Sequence, residues 1–194
     1  MKFDLHLHTH FSHDAINNPK NIVKHFNKHQ MGFAVTDHNT CDAWPSLKKY
    51  AKGYGVEFVQ GEEIRTYHQG KYIGELIGYF MNEPVEPGPY GAVLDELLDQ
   101  GALISIAHPF DILRSPLFKK PLLSDKTVWK EVNKKVHALE GFNARATLKS
   151  FNKKAVYHAH SYKKAITGGS DAHIPEELGR GYTLCDGNSA EDLR

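Results

Sequence analysis

Met1–Asp14 has the sequence MKFDLHLHTHFSHD. Apolar and polar residues alternate from Phe3 to His8, which predicts a short strand with the imidazoles of His6 and His8 on the same face. Two neutral imidazoles side by side are suitable ligands for a divalent transition metal. An H-x-H pair can equally be two incidental surface histidines, so the interpretation depends on what the rest of the chain provides.

Four later segments also carry histidines or carboxylates, and each follows an apolar run: TDHN at 36–39, GEEI at 61–64, AHPF at 107–110 and GSDAH at 169–173. Apolar runs alternate with helical patterns, and most runs are apolar on both faces, which predicts parallel strands covered by helices. Ligand-type residues after nearly every strand are typical of a β/α barrel. An open doubly wound sheet would instead concentrate its site at one crevice.

The composition limits the class of protein. The 194 residues are enough for one domain with a substantial core. Lys and Arg number 24 and Asp and Glu number 23, so no global charge favours nucleic acid or membrane. There is no apolar run of membrane-spanning length and no signal-peptide core at the N-terminus. Cys41 and Cys185 form no C-x-x-C and agree with a reducing compartment. We therefore expect a cytoplasmic protein without membrane partners.

Two segments stand apart from the alternating pattern. Residues 110–124 show no clear period and contain two prolines, which predicts a long loop. At the C-terminus, a strand-like run at Tyr182–Cys185 precedes a helix start at 189–192, and the chain stops at Arg194. We expect a single domain over residues 1–194 that either lacks a final helix or has this edge covered by another subunit. The oligomeric state is left open.

The segments resemble those of the polymerase and histidinol phosphatase (PHP) family of metal-dependent phosphoesterases. The resemblance runs from DLHLHTHFSHD through TDHN, GEEI, AHPF and EGFNAR to GSDAH and covers almost the whole chain. It implies an α/β fold, namely a distorted TIM-like (β/α)7 barrel. It also implies two to three divalent ions, zinc, manganese or iron, at the ends of the strands.

The resemblance further implies a ligand set for each ion. One ion would be held by His6, His8, Glu63 and Asp171, a second by Glu63 and His108, and a third by Asp14, His38 and His173. A carboxylate that bridges two ions keeps them close, and such a pair can activate water and stabilise an in-line displacement at phosphorus. Glu63, rather than Glu62, matches the family's G-x-E. Glu63, Asp171 and His173 are the candidates for a direct part in catalysis.

The chain departs from the family at Glu75 in GELIGYF, where many members have a histidine. A carboxylate can still bind the second ion, with a preference for manganese or iron over zinc. His68 is the competing candidate, and the second site would be weak if neither residue bound. Glu140, in EGFNAR, would either bind a metal or brace His108, and we favour bracing.

Three arginines are candidates for substrate binding. Arg114, after AHPF, and Arg145, in FNAR, resemble the family's phosphate-binding positions, and Arg180 in GRGYT is a third candidate. A guanidinium fork matches the oxygens of a phosphate. A lone arginine would by default be interpreted as a solvated surface residue.

The implied function is hydrolysis of a phosphate ester of a small metabolite or nucleotide. An exonuclease acting on short oligonucleotides is an alternative, supported only by Lys149–Lys164, which holds five lysines, two histidines and no acid. A solvated helix face explains that run more simply. An amidohydrolase also begins with H-x-H, but it would usually have a metal-bridging lysine at a strand end, and none is so placed. The last alternative is an inactive metal-binding scaffold.

Overall fold

Nine strands form one continuous sheet in this computed structural model, which describes residues 1–111 and 126–194. The strands are β1 (Lys2–Asp4), β2 (Gly32–Val35), β3 (Phe58–His68), β4 (Lys71–Tyr79), β5 (Gly88–Pro89), β6 (Leu103–Ile106), β7 (Ala138–Asn143), β8 (Ala165–Gly169) and β9 (Thr183–Leu184). Their spatial order is β8-β7-β6-β4-β3-β2-β1-β9, and β5 pairs with β3. Arg114 and most of the predicted loop lie outside the described residues.

The α-helices of the described residues are α1 (Pro19–His29), α2 (Trp44–Tyr54), α3 (Tyr90–Asp99), α4 (Lys126–Lys135) and α5 (Lys149–Ser161). Asn18-Pro19, followed by apolar residues at helical spacing, predicts a helix start at Pro19, and α1 begins there. The side chain of Asn18 caps it by accepting the N–H of Lys20 at 3.0 Å. The apolar face of α1 packs on β2, where the rings of Phe26 and Phe33 stack at 4.9 Å. No helix in the described ranges is both long enough and apolar enough to cross a bilayer.

The two ends of the sheet approach each other, so that it nearly closes into a barrel. The N–H of Leu5 donates to Gly168 O at 3.3 Å, and the N–H of His8 donates to Ala172 O at 3.0 Å. Leu7 and Ala172 form a parallel bridge between the segments that follow β1 and β8. The mixed α/β architecture and the near closure confirm the predicted distorted TIM-like barrel.

The expectation that the strands are parallel is wrong for β4, which runs antiparallel to both β3 and β6. The reason is a two-residue turn at Gln69 and Gly70, whose φ angles are 50° and 73°. Two positive φ angles are what a type I′ hairpin turn requires. The chain therefore continues β3 to His68 and folds back at once, without the crossover helix that a parallel neighbour would need.

The C-terminal segment follows its predicted outline. The strand expected near Tyr182–Cys185 is present as β9, which pairs antiparallel with β1 and is thus a second exception to the expected parallel order. A 3₁₀ helix follows at Ala190–Leu193, and the Asp192 carboxylate accepts the N–H of Ser189 at 2.9 Å, as in a capping box.

Candidate metal centre

Four donor atoms, from β3 and from the segments that follow β1 and β8, meet at one end of the barrel. His6 Nε2 and His8 Nε2 lie 3.2 Å apart, and both face Glu63 Oε2, at 3.3 and 3.4 Å. Asp171 Oδ1 lies 3.6 Å from His6 Nε2 and 3.3 Å from His8 Nε2. A tetrahedral ion with bonds of about 2.1 Å places its ligand atoms about 3.4 Å from one another. The donor spacing therefore fits one such ion, and all four side chains are buried.

Glu63 connects this donor set to a second one. Its Oε2 is buried without a hydrogen-bond donor among the described residues, and its Oε1 lies 3.0 Å from His108 Nε2. Glu75 Oε2 lies 3.7 Å from the same His108 nitrogen, and Glu75 Oε1 lies 3.7 Å from His38 Nδ1. A buried carboxylate oxygen without a partner is costly unless a cation compensates it. The residues thus fit a pair of ions bridged by Glu63.

A third group lies nearer to solvent. Asp14 Oδ2 is 3.6 Å from His38 Nε2 and 3.3 Å from His173 Nε2. The ring of His8 stacks on that of His38 at 4.4 Å and lies 4.3 Å from that of His173. The Asp14 side chain is 40 % exposed, which places this group at the mouth of the site. The structure thus brings together every residue of the predicted ligand set.

Two of the candidate ligands lie in unusual backbone conformations. Asp171 and His108 have φ angles of 55° and 24°, which non-glycine residues rarely adopt. Strained residues such as these two concentrate at functional sites.

The approach of β8 to β1 depends on Gly169, because a Cβ at this position would lie 2.4 Å from His6 Cβ.

Glu140 forms hydrogen bonds with two of the candidate ligands. Its Oε1 accepts from His6 Nδ1 at 2.8 Å, and its Oε2 accepts the N–H of His108 at 2.6 Å. The Asn143 amide donates to Glu140 Oε2 and to Asp171 Oδ2, at 3.1 Å each. Glu140 therefore braces the ring of His6 and the main chain of His108, whereas the sequence suggests His108 alone. A proton on His6 Nδ1 leaves Nε2 as the metal-binding nitrogen.

Burial and neighbouring charges give the imidazoles different protonation states. Burial lowers the pKa of His8 to about 3, so this ring is neutral at pH 7. Burial also disfavours the charged form of His38, but Glu63 and Asp14 raise its pKa to about 9. The pKa of Glu63 lies well below its usual range because His6 and His38 outweigh the effect of burial. The ionised carboxylates thus require positive charge, which protonated imidazoles or divalent ions can supply.

A cavity of about 540 Å³ opens over these donors. Arg145 lines it, with its Nε 3.5 Å from Glu177 Oε1. Arg180 is exposed and is not among the lining residues. His68 lies outside the donor groups found in the described residues, and its ring is 5.5 Å from that of Tyr90. Of the two candidates for the second site, the structure therefore brings Glu75 to the donors.

Three further lining residues are absent from the sequence prediction: Arg65, Tyr67 and Tyr72. They belong to the β3–β4 hairpin. The strand alternation was the available signal, since residues two apart share a face and Arg65 follows Glu63 by two.

The amino-acid sequence matches a family model and is similar to that of another protein. Residues 149–194 match the family model described as PHP-associated. The chain is 37 % identical over 187 residues to the uncharacterized protein MJ0417 of Methanocaldococcus jannaschii, and the match covers 94 % of this chain and 69 % of that protein.

Two solved structures share the fold. A two-domain protein of Bacteroides vulgatus, which contains a predicted PHP-like metal-dependent phosphoesterase, has a TM-score of 0.80 at 20 % identity, and the match covers 100 % of this chain but only 61 % of that protein. An amidohydrolase of Chromobacterium violaceum, solved with bound sulfate and no metal, has a TM-score of 0.75 at 14 % identity, covering 95 % of this chain and 92 % of that protein. Fold, donor groups and sequence matches agree, and the chain belongs to the polymerase and histidinol phosphatase (PHP) family.

Proposed function

We propose that this chain is a metal-dependent phosphoesterase that hydrolyses a phosphate ester of a small metabolite or nucleotide. The proposal rests on the tetrahedral spacing of the donors from His6, His8, Glu63 and Asp171, of which Asp171 also lines a cavity that arginines line. Mixed imidazole and carboxylate donors suit zinc, manganese or iron. The site would hold two to three such ions.

The roles of the residues follow from their positions. Divalent ions at these donors would supply Lewis acidity toward the phosphoryl group and increase the acidity of water. Glu63 bridges two donor groups, and Asp171 completes the first. Arg145, oriented by Glu177, presents a guanidinium to the phosphoryl oxygens. His173, beside Asp14 at the mouth, can pass a proton to the leaving alcohol when it is not itself a ligand.

The size of the cavity supports a small substrate. A volume of about 540 Å³ is in the usual range for sites that bind metabolites and nucleotides. The Chromobacterium violaceum protein, which shares the fold, has bound sulfate, a tetrahedral oxyanion like phosphate. Because that protein is an amidohydrolase, the reaction of an amidohydrolase is a competing candidate. Against that reaction, the lining residues in the described ranges include two arginines and no lysine, and Glu63 occupies the bridging position.

A short oligonucleotide is the second candidate substrate. A groove of about 590 Å³ adjoins Asn143 and is lined in part by Phe142, Lys149 and Lys153. The Phe142 side chain is 47 % exposed. An exposed aromatic ring beside lysines is a combination that binds single strands, by stacking on bases and by neutralising phosphates. Binding of an oligonucleotide that weakens steeply with rising salt would favour this candidate.

The test is elemental analysis of protein purified without added metal, paired with hydrolysis of a generic aryl phosphate before and after addition of manganese. We expect two or three ions per chain and turnover that manganese stimulates. A folded protein with less than one ion and no turnover would overturn the proposal and favour the inactive scaffold. The same protein is then assayed with nucleotides, sugar phosphates and an amide substrate.

A further inference from the structure

Arg65 is the charged residue of the cavity wall for which the family resemblance provides no role. It lies on β3 two residues after Glu63 and lines the cavity. Its backbone N–H donates to Asn39 Oδ1 at 2.9 Å, which fixes the strand against the turn that follows β2. Its side chain is 42 % exposed, so it can be reached from solvent.

The orientation of Arg65 depends on Glu75. The Arg65 Nε lies 3.6 Å from Glu75 Oε1. Glu75 stands where many family members have a histidine, so the site carries one carboxylate more than theirs. Arg65 offers a positive charge against that carboxylate. This contact involves Nε and does not use the two terminal nitrogens, which carry four further N–H donors.

Arg145 shows the same arrangement in another part of the cavity wall. Its Nε lies 3.5 Å from Glu177 Oε1, and its side chain is 32 % exposed. Each of these two cavity-lining guanidiniums is thus paired through Nε with one carboxylate, Arg65 with Glu75 and Arg145 with Glu177. A guanidinium held in this way loses less side-chain freedom on binding an anion than an unrestrained one does.

We propose that Arg65, oriented by Glu75, is a substrate-binding residue that donates hydrogen bonds from its terminal nitrogens to an anionic oxygen of the phosphorylated substrate. The inference rests on the proposed function. It adds a second substrate-binding guanidinium to that of Arg145, in a chain where Glu75 replaces the histidine of many family members. The substrate class is one whose phosphate presents free oxygens beyond those that the ions would contact, as a terminal phosphomonoester does.

The first experiment compares Arg65→Gln with wild type in steady-state hydrolysis of an aryl phosphate in manganese. Loss of a charge-assisted hydrogen bond to phosphate raises KM by about 10- to 100-fold, and we expect the ion content to be unchanged. Arg65→Lys should recover part of the loss, because it keeps the charge without the fork. Lys71→Gln is the matched control, since it removes an exposed charge from the same hairpin. An unchanged KM in Arg65→Gln would overturn the inference.

The second experiment asks whether Arg65 only neutralises Glu75. In Glu75→His, which places the histidine of many family members at this position, the additional change Arg65→Gln should still raise KM, although by less than in the wild-type background, because Arg65 contacts the substrate but is no longer oriented by Glu75. No effect in that background would show that Arg65 serves Glu75 alone, and the inference would fail.

Calorimetric binding of inorganic phosphate to the manganese-loaded protein separates this inference from the proposed function. Wild type should bind phosphate, and Arg65→Gln should bind it about tenfold more weakly. Equal binding by the two proteins would overturn the role of Arg65 while leaving the phosphoesterase proposal intact. A wild-type protein that neither binds phosphate nor hydrolyses a phosphate ester would overturn both.

Discussion

Glu62 and Glu63 are adjacent glutamates with opposite surroundings, because successive side chains of a strand leave on opposite faces. Glu63 points into the donor cluster, where His6, His8 and His108 surround its carboxylate. Glu62 points away, and its Oε2 accepts the N–H of Val85 at 2.9 Å. Burial raises the pKa of Glu62 to about 7. The pair offers a matched comparison of two buried acids with the same sequence context.

We expect Glu63→Gln to lose bound metal and to lower turnover more than about 100-fold, since two donor groups lose a shared carboxylate. Glu62→Gln should keep the ion content of wild type. Elemental analysis and aryl phosphate hydrolysis provide the measurements, and circular dichroism checks the fold. Equal metal loss in the two variants would show that Glu63 has no special place in the site.

Substitution of Glu140 tests whether this residue orients the ring of His6. Its Oε1 lies 2.8 Å from His6 Nδ1, which orients the ring. We expect Glu140→Gln to weaken manganese binding by about 10- to 100-fold while the chain stays folded. Metal titration followed by calorimetry measures this. Glu131→Gln, which affects an exposed contact with the Tyr90 hydroxyl, is the control. An unchanged affinity in Glu140→Gln would contradict the bracing role.

At the scale of elements, the closure between β8 and β1 forms the site. The Asp171 N–H donates to His6 O at 2.6 Å, so the segments that carry three candidate ligands are tied together by their backbones. Gly169 permits this approach because any side chain there would meet the His6 backbone. The hairpin of β3 and β4 acts on the opposite side of the barrel, where it brings Glu75 and Arg65 to the cavity.

We expect Gly169→Ala to lower the free energy of unfolding by about 1–3 kcal/mol, because the added methyl must push β8 away from His6. It should also reduce the ion content, since Asp171 moves with the strand. Gly53→Ala is the contrasting variant, with an open position on α2. It should raise the free energy of unfolding by about 0.5–1 kcal/mol. Urea unfolding measures both, and a neutral Gly169→Ala would refute the close approach.

At the scale of the whole molecule, folding and metal binding are coupled. Folding gathers Glu63, Asp171, Glu75 and Glu140 with several imidazoles in a buried volume. Bringing these carboxylates together in a buried site is unfavourable until a cation compensates their charge. A ligand that binds only the folded chain adds to its stability by mass action.

Manganese at about 100 times its Kd should therefore stabilise the fold by about 2.7 kcal/mol and raise Tm by about 5–10 °C. A chelator should reverse the shift. Asp171→Asn should show a smaller shift than wild type, because one donor of the first group is lost. Scanning calorimetry with and without manganese is the measurement. A Tm that does not respond to metal would mean that the folded chain holds no ion under those conditions.

The sequence determined the chemistry of the site and the class of fold. The residue types that bind metals, the period-two pattern before His6 and His8, and the helix start at Pro19 are all local features, and local features depend on neighbours along the chain. The barrel class follows from the sequence because residues of metal-ligand type come after nearly every predicted strand. The assignment of Glu63 over Glu62 is likewise a matter of strand alternation and motif match.

The tertiary structure decided which of those residues share a donor group and what surrounds them. His6 and Glu140 are separated by 134 positions and meet at 2.8 Å, and the contact of Arg65 with Glu75 arises only because Gln69 and Gly70 form a hairpin turn. Distances of this kind depend on strand register and on closure of the barrel. Register and closure are set by packing between segments far apart in the chain, and residue order alone does not specify that packing.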